Sequence, residues 1–138
     1  MIWFEIPGAP EGKARPRVLR CGRAYTPQRT RVYEDLVRSC YESAIMGVKQ
    51  GKDGGGDAFR VEIYAYYPIP QSASKRKKTA MEAGELLPTK KPDWDNVGKI
   101  VCDALNGCAW KDDSQIVDAV VHKRYAAVPR VVVEIERI

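Results

Sequence analysis

Between Phe59 and Tyr67 every second residue is apolar, and Phe59, Val61, Ile63, Ala65 and Tyr67 alternate with Arg60, Glu62, Tyr64 and Tyr66. Successive side chains of a strand point to opposite faces, so a period of two over this length asks for a sheet with one face buried. Pro68 and Pro70 close the strand, because proline cannot donate to a ladder. Ile2, Phe4 and Ile6 repeat the pattern more briefly before Pro7-Gly8. Residues 116–128 and 130–137 read as valine-rich strands, with Pro129 at a hairpin or tight connection.

Two segments change to the helical period. Tyr33, Leu36, Val37, Cys40, Tyr41, Ala44, Ile45 and Val48 keep one face, which predicts a helix over 26–50 with Thr26 as N-cap, Pro27 at the first helical position and Gly51 as the stop. A second helix is expected from Asp95, burying Val97, Ile100, Val101, Ala104 and Leu105 and ending at Asn106-Gly107. Residues 8–25 read as an exposed basic loop and 52–57 as a flexible turn. Residues 71–92 are a polar, lysine-rich stretch with a helical turn near Lys75 to Ala83, longer than a plain connection needs. With 138 residues, no repeat and no internal boundary, the chain is expected to be a single domain over 1–138, large enough to fold without disulfide or metal staples.

Hydrophobic residues make up 44% of the chain and charged ones 30%, a globular balance. The longest charge-free stretch, Ile63 to Ser74, contains two prolines and is too short to span a bilayer. With no basic leader before Glu5, a cytoplasmic protein is expected. Cys21, Cys40, Cys102 and Cys108 form no C-x-x-C pair, and the one histidine, His122, lies in a strand without a nucleophile motif beside it. This argues against structural zinc and against Ser/His or Cys/His catalysis. His122 reads as a packed or surface imidazole.

The net charge of +5 is unevenly spread. Residues 11–31 hold seven basic groups against Glu11, and residues 68–92 hold six against two glutamates; residues 93–118 carry six aspartates against Lys99 and Lys111. Basic loops around an acidic centre suit a polyanion gripped beside a metal, and a solvated surface is the alternative. With Val97 on the buried face, Asp95, Lys99 and Asp103 fall on the outward face of the second helix. Asp95 and Lys99 are i, i+4 neighbours, so the ammonium can meet that carboxylate or a phosphate beside it. Asp93 precedes the helix, and Asp112 and Asp113 follow it in a loop. Aspartates clustered without histidine or thiolate favour a hard cation such as magnesium. Taken singly, Asp93 or Asp95 can equally be an N-cap, and Asp112-Asp113 a solvated turn.

In combination, Asp93-x-Asp95-Asn96-x-x-Lys99, the helix carrying Asp103-Ala104-Leu105, and Trp110-Lys111-Asp112-Asp113-x-Gln115-Ile116-Val117 resemble the RusA family of Holliday-junction resolvases. Gly12-Lys-Ala-Arg15-Pro16-Arg17 and Tyr25-Thr26-Pro27 look like its Gram-positive and phage-type members. The resemblance implies an α+β fold, a small mixed sheet of about four strands packed with two main helices, in a homodimeric endonuclease. It implies magnesium, with manganese as a substitute, no organic cofactor, and four-way DNA junctions as substrate. Asp93, Asp95 and Asp113 then correspond to the family's metal-binding carboxylates and Lys99 to its essential lysine, while Asp112 is an adjacent acid whose role stays open. Trp94 departs from the leucine often found between the first two acids. Arg15, Arg17, Lys75, Arg76, Lys77, Lys78, Lys90 and Lys91 become the expected DNA contacts. A junction-binding protein without nuclease activity, and a nuclease for flaps or other branched DNA, are the competing readings.

Overall fold

The computed structural model describes residues 1–14, 17–48 and 56–138. Its elements run β1 (Ile2–Pro7), β2 (Arg17–Val18), β3 (Ala24–Tyr25), α1 (Gln28–Ile45), β4 (Phe59–Pro68), α2 (Lys75–Glu82), α3 (Trp94–Ala104), a short 3-10 turn (Asp113–Gln115), β5 (Ile116–Ala126) and β6 (Arg130–Arg137). Four strands form a mixed sheet in the order β1-β6-β4-β5, in which β6 is antiparallel to both β1 and β4 while β5 runs parallel to β4. The fold is therefore α+β.

The alternation in β4 is realised residue by residue: Phe59, Val61, Ile63, Ala65 and Tyr67 are buried on one face, joined by Phe4 and Ile6 of β1 and Val131, Val133 and Ile135 of β6. Helix α1 covers the β1 side of that face and α3 the β5 side, and the two helices touch each other. Val97, Ile100, Val101 and Leu105 of the α3 segment are fully buried there, each contributing roughly 1.5–3 kcal/mol of apolar transfer. Helix α2 touches β5 as well.

Some expectations need correction. The basic stretch 8–25 is not a plain loop, because β2 and β3 pair as a small antiparallel hairpin within it. Helix α1 has Pro27 rather than Thr26 at its N-cap, without a side-chain cap, and it ends at Ile45 because Gly47 turns the chain at a positive φ of 78°. The expected stop at Gly51 and most of the 52–57 turn lie outside the described residues. The turn near Lys75 is a full helix, α2, capped by the Ser74 side chain, which accepts from the Lys77 N–H. Helix α3 starts one residue early, at Trp94. Finally, β5 and β6 are joined tightly but do not form a hairpin: β4 lies between them, and residues 127–129 pass its Pro68 end.

Candidate active site

The buried stripe of α3 leaves Asp95, Lys99 and Asp103 on its other side. Asp93 is the N-cap by position, with extended backbone, yet its side chain makes no capping hydrogen bond. Asp95 follows in the first turn, where a carboxylate suits the positive end of the helix. Both are exposed. The two acids after the helix behave differently from each other. Asp112 accepts from the Ser114 N–H at 3.2 Å, and Gln115 Oε1 accepts from the Asp112 and Lys111 N–H groups at 3.2 and 2.9 Å, a capping box on the 3-10 turn. The hydrogen bonds from Ser114 hold its carboxyl below the usual range. Asp112 is thus a turn-builder, and the turn it builds directs Asp113 back toward α3.

Asp113 is half-buried, and burial together with the charges of Asp112 and Asp103 and a hydrogen bond to Asp103 pushes its carboxyl above the ordinary value. Asp95, Lys99 and Asp113 line one cleft of about 340 Å³ between α3 and β5, with Trp94, Gly98 and Cys102 in its wall. Burial, reinforced by Asp113 and Asp103, lifts the Cys102 thiol to about 12, so no thiolate competes as a soft ligand. Asp93 lines a second cavity of about 640 Å³, together with Gly12, Lys13, Arg29, Lys91, Pro92 and Asn96. Three of the four expected residues therefore share a cleft and the fourth borders its neighbour. Among the described residues no three His, Cys, Asp or Glu side chains converge closely enough to hold a metal ion. The donors present are all carboxylates, and the mutual repulsion around Asp113 is the kind a hard divalent cation relieves.

Asp103, already placed on the outward face of α3 by its spacing, completes the site together with Lys13 and Glu34. Lys13 Nζ lies 3.0 Å from Glu34 Oε1 and 3.3 Å from Asp103 Oδ2, and Asp103 Oδ2 lies 3.8 Å from Lys99 Nζ. Burial opposes the charge on Lys13, but Glu34 and Asp103 outweigh it and hold its ammonium above the ordinary value. The Lys13 N–H also donates to the Asn96 carbonyl at 3.1 Å, so the loop is fastened to α3 by backbone and side chain alike. Gly12 permits this approach: a Cβ there would stand 2.9 Å from the Pro92 Cβ. Asp103 had a sequence signal, since it sits one turn after Lys99 on the outward face. Lys13 was marked only as a basic residue of the Gly12–Arg17 motif, and Glu34 had no signal, because their pairing joins distant segments.

Of the expected DNA contacts, Lys75, Arg76 and Lys77 are exposed on α2 and Lys78 is half-buried; Lys90 and Lys91 are exposed in the loop before α3. Lys123 of β5 donates to the Lys90 carbonyl at 2.6 Å and lies over the Tyr67 ring, while Lys90 lies over Tyr125. These contacts seat the basic loop at the end of the sheet. Arg15 and the side chain of Arg17 lie outside the described residues. His122 is apart from the site, stacked on Tyr64 and 2.8 Å from Glu62 on the open face of the sheet, as a packed imidazole.

A family model described as "Endodeoxyribonuclease RusA" matches residues 7–136. The chain is also 37% identical over 147 aligned residues to YqaN of Bacillus subtilis (strain 168), whose description is "Uncharacterized protein"; the alignment covers 99% of this chain and 96% of that protein.

Proposed function

The chain belongs to the RusA family of endodeoxyribonucleases, and we propose that it is a magnesium-dependent nuclease that resolves four-way DNA junctions by paired nicks in opposed strands. The observation that carries the reading is the cleft lined together by Asp95, Lys99 and Asp113, two carboxylates and an ammonium. Asp95 and Asp113, with Asp93 from the adjoining cavity, are the residues that would hold the metal. Bound there, a divalent ion would supply an activated water and would neutralise charge developing on the phosphate. Lys99 presents its ammonium to the scissile phosphate and stabilises the transition state. Helix α2 and the loop carrying Lys90 and Lys91 hold the backbone phosphates of the junction arms, contacts that position the DNA without reading its sequence.

Paired nicks require two sites, and the described residues of each chain gather one such set of acids, so the working unit is a twofold homodimer. The sheet face opposite α1 and α3 offers Tyr64, Tyr66 and Val132 beside the exposed Trp3 as one candidate contact surface, with Glu134 and Glu62 also on it. Sedimentation gives the mass. The substrate is tested by incubating the protein with a labelled four-way junction, a flap and a linear duplex, with and without magnesium. Paired cuts confined to the junction are expected; binding without cutting, or cutting of the flap alone, would replace this reading. Asp95→Asn should abolish cleavage while junction binding persists in a gel shift, and near-normal cleavage by the variant would remove Asp95 from the metal site.

A further inference from the structure

We propose that Asp103, clamped by Lys13, is the positioning residue that holds the Lys99 ammonium toward the cleft. The inference rests on Lys99 being the lysine of the phosphodiester-cleaving site. A lysine on an exposed helix face has four rotatable bonds, and a lone i, i+4 partner restrains it weakly. Here the partner is itself fixed. Asp103 is 20% exposed, Lys13 17% and Glu34 11%, whereas Lys99 is 61% exposed. Lys13 is flanked by Glu34 and Asp103; Asp103 meets Lys13, Lys99 and, through a hydrogen bond, Asp113; and Lys99 alone of the four ends in open solvent. Lys13 is carried by a loop that is hydrogen-bonded to α3 through Asn96, one turn before Lys99 begins the next, and cannot drift relative to the helix. The 3.8 Å separation between Lys99 and Asp103 leaves the ammonium room to share its hydrogens with a phosphate oxygen without leaving the carboxylate. Lys13, one of the basic residues of the N-terminal segment, thus serves the reacting lysine and is not a phosphate contact.

The test compares wild type, Asp103→Asn, Lys99→Met and the double variant in single-turnover cleavage of the junction with magnesium. Asp103→Asn should slow cleavage about 2- to 5-fold, the range for losing an exposed ion pair, while the junction Kd stays within about twofold. The double variant should be no slower than Lys99→Met, because a residue acting through Lys99 has nothing left to act on. Losses that multiply would overturn the proposal and make Asp103 an independent ligand or structural residue. A second readout does not need activity. Acetylation of Lys99, followed by mass spectrometry, should run about twofold slower than that of Lys75 in the wild type and rise in Asp103→Asn, because an amine held against a carboxylate meets the reagent less often than a free one. Equal rates for Lys99 and Lys75 in the wild type would overturn it even if Asp103→Asn failed to fold. If wild type cuts no DNA substrate, the nuclease reading falls, and the acetylation comparison still decides whether Asp103 holds Lys99.

Discussion

Replacing Gly12 by alanine should loosen the N-terminal loop from α3 and lower both stability and activity. The new Cβ would lie 2.9 Å from the Pro92 Cβ and 3.3 Å from the Asn96 Cβ, and the proline ring cannot rotate away. Overpacking of this kind costs about 1–3 kcal/mol. Restricting the unfolded chain returns about 0.4–1 kcal/mol, leaving a mid-range net loss of about 1.3 kcal/mol. At about 2.1 cal/mol/K per residue, 138 residues have an unfolding entropy near 0.3 kcal/mol/K. The Tm should therefore fall by roughly 4–5 °C. Gly98→Ala is the internal control: its Cβ would meet the Val121 Cγ2 at an ordinary 3.5 Å, inside a helix. That substitution should raise Tm by about 3 °C from helix propensity alone. Differential scanning calorimetry on both variants reads the contrast. A Gly12→Ala protein melting at or above the wild-type temperature would refute the close approach of the loop to Pro92 and, with it, the route by which Lys13 reaches Asp103.

Two further outcomes follow from the charges. Asp113 is an acid whose folded value is raised above 3.8, so its contribution to stability is present below that pH and lost as pH rises through the folded value; its charge opposes folding at neutral pH. Asp113→Asn should accordingly raise the Tm of the metal-free protein at neutral pH, with the gain shrinking as pH is lowered toward 3.8, while cleavage is lost; a Tm that falls at neutral pH would contradict the assignment. Replacing Lys75, Arg76, Lys77 and Lys78 together with alanine should reduce the slope of log binding constant against log salt by about 0.9 for each phosphate contact removed. An unchanged slope in a gel-shift titration would place the DNA elsewhere.

Much of this protein was legible from local pattern. The alternation of Phe59 to Tyr67 and the stripe Val97, Ile100, Val101, Ala104 and Leu105 are periodicities that a strand and a helix impose on their own neighbours, so they specify the elements and which face each one buries. The same periodicity put Asp95, Lys99 and Asp103 together on the outward face of α3, since residues one turn apart share a side wherever the helix lies. What the pattern could not contain is pairing between segments far apart in the chain. The placement of β6 between β1 and β4 depends on which strand edges meet once the apolar faces collapse, and Pro129 is as compatible with a crossing as with a hairpin. The distinct roles of Asp112 and Asp113 arose because one carboxylate found the Ser114 N–H and the other found α3. Lys13 was legible only as one more basic residue, and Glu34 not at all, for the same reason: their roles come from contacts across 21 and 90 residues of chain, to each other and to Asp103, and only the folded packing of loop, α1 and α3 brings those charges within reach.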